Sequence, residues 1–290
     1  MNKDILEIKN LNKTYPKFKL KDVSFTLKEG TICGFIGRNG AGKTTTIKCI
    51  YNLIKRDSGE ILYDGEDILD IETKAKNEIG LLFGGVDYYP NQKIKTIASV
   101  TAKFYKSWDQ SLYRRLLDFF DLNEEKKIKQ LSSGMKVKFG LTLALSHGAK
   151  VLLLDEPTSG LDPVSRDEVL DCFIKVSELN MTSILFSTHV ISDLERCADE
   201  IIYIKKGEIY CQSSVEDFKA NYLHIEGLAT NLSAEQKENI GHLSIHQGKF
   251  FGIVLKEQKD NFPDYILKEP SLEEIMLYIE RGNENEKTPF

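Results

Sequence analysis

Apolar positions along this chain repeat with two alternating periods, and the alternation predicts an α/β protein. Residues 5–9 and 23–27 read as strands, joined by a turn-rich stretch at 12–20. Ile32–Ile36 is a short buried strand and residues 45–54 a helix, after which a glycine-bounded strand at 58–65 forms a hairpin arm. A further strand at 78–83 ends at Gly84-Gly85. The spacing then turns helical at 97–108, 112–121 and 124–129, which predicts a helical insertion. A long helix from 131 to about 145, buried strands at 151–154 and 183–187, a helix at 164–179 between them and a strand pair around Lys206-Gly207 complete the main pattern. Beyond Ser214 strands are expected at 222–226, 243–246 and 250–255, with helices at 234–240 and 271–279. The expected organisation is thus a core in two parts, 1–84 (with an antiparallel β subdomain) and 132–214. A helical subdomain at 85–131 separates them, and a small α+β extension at 215–281 precedes a disordered tail at 282–290.

The chemistry gathers where apolar strands stop. Gly37-Arg38-Asn39-Gly40-Ala41-Gly42-Lys43-Thr44, with Thr45 next, lies between a buried strand and a helix. Glycines there let backbone N–H groups turn onto the phosphates of a nucleotide. Lys43 supplies a point charge for the β/γ oxygens, and the Thr44 hydroxyl suits Mg²⁺. The strand Val151–Leu154 runs into Asp155 and Glu156: the first is placed for Mg²⁺, the second to polarise an attacking water. The next buried strand ends in Thr188-His189, where a histidine either reaches a γ-phosphate or is structural. Leu131-Ser132-Ser133-Gly134-Met135 opens the long helix, as a cap, an anion site, or both. Tyr15 packs in the core or stacks on a nucleotide base.

Composition narrows the class. With 41% hydrophobic and 29% charged residues the sequence reads as a soluble globular chain, and no apolar run approaches the roughly 18 residues that span a bilayer. A net charge of −5 argues against nucleic acid as a partner, and Lys103, Lys106, Arg114 and Arg115 read as a solvated helix face. Cys33, Cys49, Cys172, Cys197 and Cys211 are scattered and odd in number, as reduced cytosolic thiols are. His242 and His246 have ligand spacing without a third ligand, so strand-surface histidines are expected.

The order of these motifs resembles that of ABC transporter nucleotide-binding subunits over roughly residues 5–215. Gly37–Thr44 resembles the Walker A loop and Val151–Asp155 Walker B, with Glu156 as the catalytic carboxylate. Leu131–Met135 is similar to the signature motif, with Ser133 and Met135 in place of a glycine and a glutamine. Asp162 falls in the D-loop, His189 matches the switch histidine and Tyr15 the aromatic A-loop. The resemblance implies a P-loop NTPase with a RecA-like core, ATP and Mg²⁺ as ligands, and a head-to-tail dimer in which Leu131–Met135 of one subunit covers nucleotide held by the other. One departure stands out. Gly84 occupies the place of the family's usual glutamine, and Asp87 and Gln92 are the nearest substitutes.

A single nucleotide unit without a membrane span, ending in Glu269-Pro270-Ser271-Leu272-Glu273-Glu274-Ile275, is similar to the ATPases of ABC-2 type exporters. That implies a separate permease, a place on the cytoplasmic face of the membrane, and a drug, lipid, or amphipathic, antimicrobial or toxin peptide as cargo. The alternatives are a soluble ABC ATPase without a transport role and a nucleotide-dependent regulatory module.

Overall fold

Two long strands fold back on each other at the start of the chain in a computed structural model that describes residues 3–84 and 89–281. β1 (Asp4–Tyr15) and β2 (Phe18–Lys28) pair antiparallel from Asp4↔Lys28 to Tyr15↔Phe18, so the expected turn at 12–20 shrinks to Pro16-Lys17. The reason is register. Bulges after Ile8 and Leu11 break the two-residue alternation while the strand continues, and the Asn12 amide bridges the irregularity to Asp22 at 2.8 Å.

β3 (Ile32–Ile36) leads into α1 (Lys43–Ile50). β4 (Ser58–Tyr63) and β5 (Glu66–Asp67) extend the first sheet in the order β2-β1-β4-β5. α2 (Glu72–Glu78) precedes β6 (Ile79–Phe83), and α3 (Ile94–Thr101) and α4 (Gln110–Phe119) follow. The helix expected at 124–129 does not form. Its backbone pairs instead with residues 92–95, through Ile94 N to Lys126 O at 3.0 Å and Ile128 N to Gln92 O at 3.0 Å, leaving only a 3₁₀ turn at Ile128–Gln130.

α5 (Ser133–Ser146), β7 (Val151–Asp155), α6 (Pro163–Asn180), β8 (Ser183–Ser187), α7 (Ile191–Cys197), β9 (Glu200–Lys205) and β10 (Glu208–Ser214) complete the main sheet, ordered β10-β9-β3-β8-β7-β6. β9, β3, β8, β7 and β6 run parallel, and Phe83, Asp155, Ser187 and Phe35 stand side by side in register. Every loop leaving those strands therefore emerges at one edge, where α/β sheets bind ligands. The residues that hold the sheet in place are apolar and fully buried, among them Phe35, Leu153, Leu154, Leu185 and Ile202.

The chain divides into two compact units after Gln212. The second contains α8 (Val215–Ala220), β11 (Tyr222–Leu228), α9 (Ala234–Asn239), β12 (Gly241–His246), β13 (Lys249–Leu255), β14 (Ile266–Lys268) and α10 (Leu272–Arg281). Its sheet, β12-β13-β11-β14, packs Ile225, Phe250, Val254 and Phe262 into a separate core. The described cysteines are all free, and burial pushes Cys172 and Cys197 up to about 12, so these thiols stay protonated.

Candidate functional site

The glycine loop is shaped by what packs behind it. At Gly42 (φ 119) a Cβ would meet Leu20 Cδ2 at 2.6 Å and Phe18 Cζ at 2.9 Å, and at Gly37 it would meet Ile204 O at 2.2 Å. Neither position tolerates a side chain. Gly42 caps α1 without a side-chain acceptor, and the first turn of α1 contains no acid. The N–H groups of that turn are thus left for an anion from outside. Lys43 is buried and donates to Gly37 O at 2.6 Å, with Glu156 Oε1 4.0 Å away. Burial lowers its pKa, against the pull of Glu156 and Asp155. Phe18, Gly40, Lys43, Thr44, Thr45 and Glu156 line a cleft of about 420 Å³.

At the strand ends a chain of hydrogen bonds joins the predicted groups. Thr44 Oγ1 donates to Asp155 Oδ2 at 2.8 Å, and Ser187 Oγ donates to Asp155 Oδ1 at 2.6 Å. Glu156 has a left-handed backbone (φ 51), held by its N–H donating to Ser187 Oγ at 3.0 Å and Ser187 O at 3.1 Å. Its carboxylate meets His189 Nδ1 at 2.6 Å. Left-handed backbone at a non-glycine residue costs energy and persists where the surroundings dictate it. Here it turns Glu156 away from the line of β7 and toward the cleft. The donor set fits Mg²⁺: Thr44 and Asp155 offer hard oxygens beside a phosphate-shaped loop, with the remaining positions left for phosphate and water. No cluster of three His, Cys, Asp or Glu able to hold a metal occurs among the described residues, His242 and His246 included.

Other predicted residues stand apart from the cleft. Leu131 is buried, and Ser132 caps α5 by accepting the Met135 N–H at 3.2 Å. Ser133 donates to Gly160 O at 3.4 Å, and a Cβ on Gly134 would meet Ser165 Oγ at 2.8 Å. Asp162 caps α6, accepting from Val164 N at 3.1 Å and Ser165 N at 2.9 Å, which holds its carboxyl below the usual range. Residues 131–135 and Asp162 thus lie together where the starts of α5 and α6 meet, with Ser132 and Ser133 exposed, and none of them lines the cleft at Lys43. Arg38 and Ala41 close the loop through Ala41 N to Arg38 O at 3.0 Å, and Asn39 lies on the cleft wall.

Tyr15 is exposed, with Lys13 Nζ 5.7 Å from its ring centre, and the aromatic ring on the cleft wall belongs to Phe18. Phe18 is not legible as a site residue in the sequence, because it falls in the stretch expected to be a turn. Ser187 was missed as well, since a serine within an apolar strand gives no signal of its own. Gly84 (φ 56) donates its N–H to Asp155 O at 3.1 Å, and no described residue lies within 4 Å of the position of a Cβ. Gln92 faces a separate hollow with Tyr89 and Thr96, and Asp87 lies outside the described residues.

Comparison with known proteins places these features in context. Residues 20–159 match the model of the ABC transporter family. The ABC transporter ATP-binding protein YtrB of Bacillus subtilis (strain 168) is 31% identical over 89% of this chain and 90% of its own. The bacitracin transport ATP-binding protein BcrA of Bacillus licheniformis is 30% identical over 84% and 82%. The methionine import ATP-binding protein MetN 1 of Bacillus anthracis is 31% identical over 76% and 68%. Among solved structures, an ATP-binding subunit of an ABC transporter superposes with a TM-score of 0.67 at 26% identity, covering 74% of this chain and 92% of that one. A dimeric ATP-binding cassette in a post-hydrolysis state bound to ADP and Pi has the same fold, with a TM-score of 0.63 at 24% identity over 72% and 98%.

Proposed function

The chain belongs to the ABC transporter ATP-binding proteins, and from that premise we propose that it drives export of an amphipathic substrate through a separate membrane permease. That it is an ATPase follows from the family. The observation that carries the site assignment is the convergence of Lys43, Thr44, Asp155, Glu156 and His189 at one sheet edge, with Glu156 and His189 2.6 Å apart.

In this reading the Gly37–Thr44 N–H groups and Lys43 bind the β- and γ-phosphates, with Lys43 exchanging Gly37 O for a phosphate oxygen. Thr44 and Asp155 would hold Mg²⁺, which supplies positive charge against those phosphates. Glu156 orients the attacking water and accepts its proton. His189 steadies Glu156 through Nδ1 and turns Nε2 to the γ-phosphate. Ser132 and Gly134 of a second ATPase subunit, identical or different, close over the γ-phosphate, and Asp162 lies at that interface. The dimeric cassette of the same fold supports the pairing. Loss of the γ-phosphate releases the dimer, and the permease changes state.

Export is favoured by where the relatives match. The unit ending at Gln212 is under three quarters of the chain, so the matches with YtrB and BcrA, which cover 89% and 84% of it, include part of the second unit, whereas the match with the importer subunit MetN 1 covers 76%. BcrA is named for transport of bacitracin, and a cell gains by moving an antibiotic outward. A drug, lipid, or amphipathic, antimicrobial or toxin peptide is the cargo class, and the partner is an ABC-2 type permease. Among the described residues no helix is long and apolar enough to cross a membrane, so in this reading the chain sits at the cytoplasmic face through that permease.

The test is Glu156→Gln in the purified protein. It is expected to bind ATP and dimerise with it, while hydrolysis falls by about a hundredfold or more. Normal turnover would overturn the site assignment. Export is tested by purifying the chain from detergent with its membrane partner and measuring peptide efflux from vesicles containing both.

A further inference from the structure

Behind Glu156 and His189 lies a carboxylate that the roles above leave unused. Asp193, in the first turn of α7, has no exposed surface. A carboxylate is buried so completely only when its oxygens are engaged. Asp193 Oδ2 accepts from the Thr158 hydroxyl at 2.5 Å and from the Thr188 hydroxyl at 3.3 Å, and Oδ1 accepts from the Arg166 guanidinium. Arg166 also donates to Ser192 Oγ at 2.6 Å.

The positions of these donors along the chain give the cluster its meaning. Thr158 follows Glu156 closely, on the segment leaving β7 toward the Ser159–Asp162 turn. Thr188 immediately precedes His189 on the segment leaving β8, and its hydroxyl accepts the Val190 N–H at 2.9 Å, closing the turn that presents the histidine. Arg166 belongs to the turn of α6 that Asp162 caps, with Arg166 N donating to Asp162 O at 3.0 Å. One buried charge therefore ties together both segments of the catalytic pair and the helix behind residues 159–162. It lies outside the cleft lining.

We propose that Asp193 is a positioning residue that holds Glu156 and His189 at their catalytic spacing and couples that spacing to the Ser159–Asp162 turn. The proposal deepens the ATPase reading above and rests on it. Because Asp193 stands behind the pair and off the cleft, weakening its grip misaligns Glu156 and His189 without removing any group that binds nucleotide. The turnover rate is the quantity that falls.

Thr158→Val and Thr158→Ser in the full chain separate the hydroxyl from the packing, since valine keeps the shape of threonine without its hydroxyl and serine keeps the hydroxyl. Thr158→Val is expected to lower kcat about tenfold, equal to ~1.4 kcal/mol of barrier. Its KM and its affinity for a fluorescent ATP analogue are expected to stay within about twofold of wild type, and Thr158→Ser to recover kcat to within about threefold. Wild-type kcat in Thr158→Val, equal losses in the two variants, or kcat and KM changing together would each overturn the proposal. Should Thr158→Val not fold, Thr188→Val and Thr188→Ser read the same carboxylate by the same criteria. Glu156→Gln keeps the two claims apart. Normal turnover there removes the site assignment, whereas an inactive Glu156→Gln beside a fully active Thr158→Val removes only the role of Asp193.

Discussion

The Ser187 hydroxyl donates to Asp155 Oδ1 at 2.6 Å from a position with no solvent exposure, and Ser187 Oγ in turn accepts the Glu156 N–H at 3.0 Å. One small side chain thus aims the carboxylate that reaches Thr44 and pins the left-handed backbone of Glu156. Ser187→Ala removes the donor and leaves Asp155 Oδ1 short of a partner in the strand end. The expected loss is about 1.5–3 kcal/mol of unfolding free energy by urea titration, as for hydrogen bonds to charged groups. ATPase activity measured where the variant is fully folded is expected to fall as well. A variant of wild-type stability and rate would show that Asp155 and Glu156 are held by other contacts.

How far the sequence predicts such relationships depends on which forces shape each segment. β3, β7 and β8 are readable because strands buried on both faces are continuous apolar runs, and their ends carry the charged and hydroxyl groups that the runs lack. The same logic puts Lys43, Thr44, Asp155, Glu156 and His189 at the ends of those runs from the sequence alone. Where a segment takes its structure from a neighbour, the pattern fails. β1 is invisible past its bulges, and 124–129 gives up its helix to pair with 92–95. α2 buries only Ala75, so it has no apolar stripe to detect, and β14 is three residues long. Ser187, Asp193 and Phe18 owe their roles to partners that only the fold brings close.

Lys43 gives a prediction with opposite signs in two states. Burial lowers its pKa, so in the unliganded protein the cation is less favourable than in water. Lys43→Met, of similar length, is therefore expected to leave the unliganded protein as stable as wild type or slightly more stable. It should also abolish the stabilisation by ATP, which for the wild type is about 2.7 kcal/mol at a hundred times Kd. The pH dependence follows from the lowered pKa. The unfolded chain keeps this proton to higher pH, so wild-type stability relative to Lys43→Met rises from the folded pKa up to the ordinary value near ~10.4. Chemical denaturation of both proteins across the alkaline range, with and without ATP, measures each effect. A large loss of unliganded stability in Lys43→Met would contradict it.

Gly84 offers a direct trial of the missing glutamine. Among the described residues nothing lies within 4 Å of a Cβ there, so Gly84→Gln is expected to fold. Its cost is the left-handed backbone (φ 56), about 1–2 kcal/mol for a residue with a side chain. Thermal unfolding should show a corresponding fall of several degrees. If the absent side chain is what this site lacks for metal binding, a Mg²⁺ titration of ATPase activity will reach half-maximum at lower concentration in Gly84→Gln. An unchanged titration would mean that Thr44 and Asp155 already set the metal requirement.

The final prediction concerns which aromatic ring meets the nucleoside. Phe18 lines the phosphate cleft and its ring lies against Gly42, while Tyr15, its partner across the hairpin end, is exposed and lies off the cleft wall. A ring at that wall can pack on the sugar or base of a nucleotide, and stacking of this kind is worth about 1–3 kcal/mol. Phe18→Ala is therefore expected to weaken ATP binding by that amount, measured with a fluorescent analogue or by calorimetry, and to exceed the effect of Tyr15→Ala. Inorganic tripolyphosphate supplies the control, because it engages the glycine loop and Lys43 with nothing to stack. Its affinity should change by less than about twofold in Phe18→Ala if the ring acts on the nucleoside. Equal losses for ATP and tripolyphosphate would assign Phe18 to support of the loop through Gly42. A larger effect from Tyr15→Ala would return the base to Tyr15.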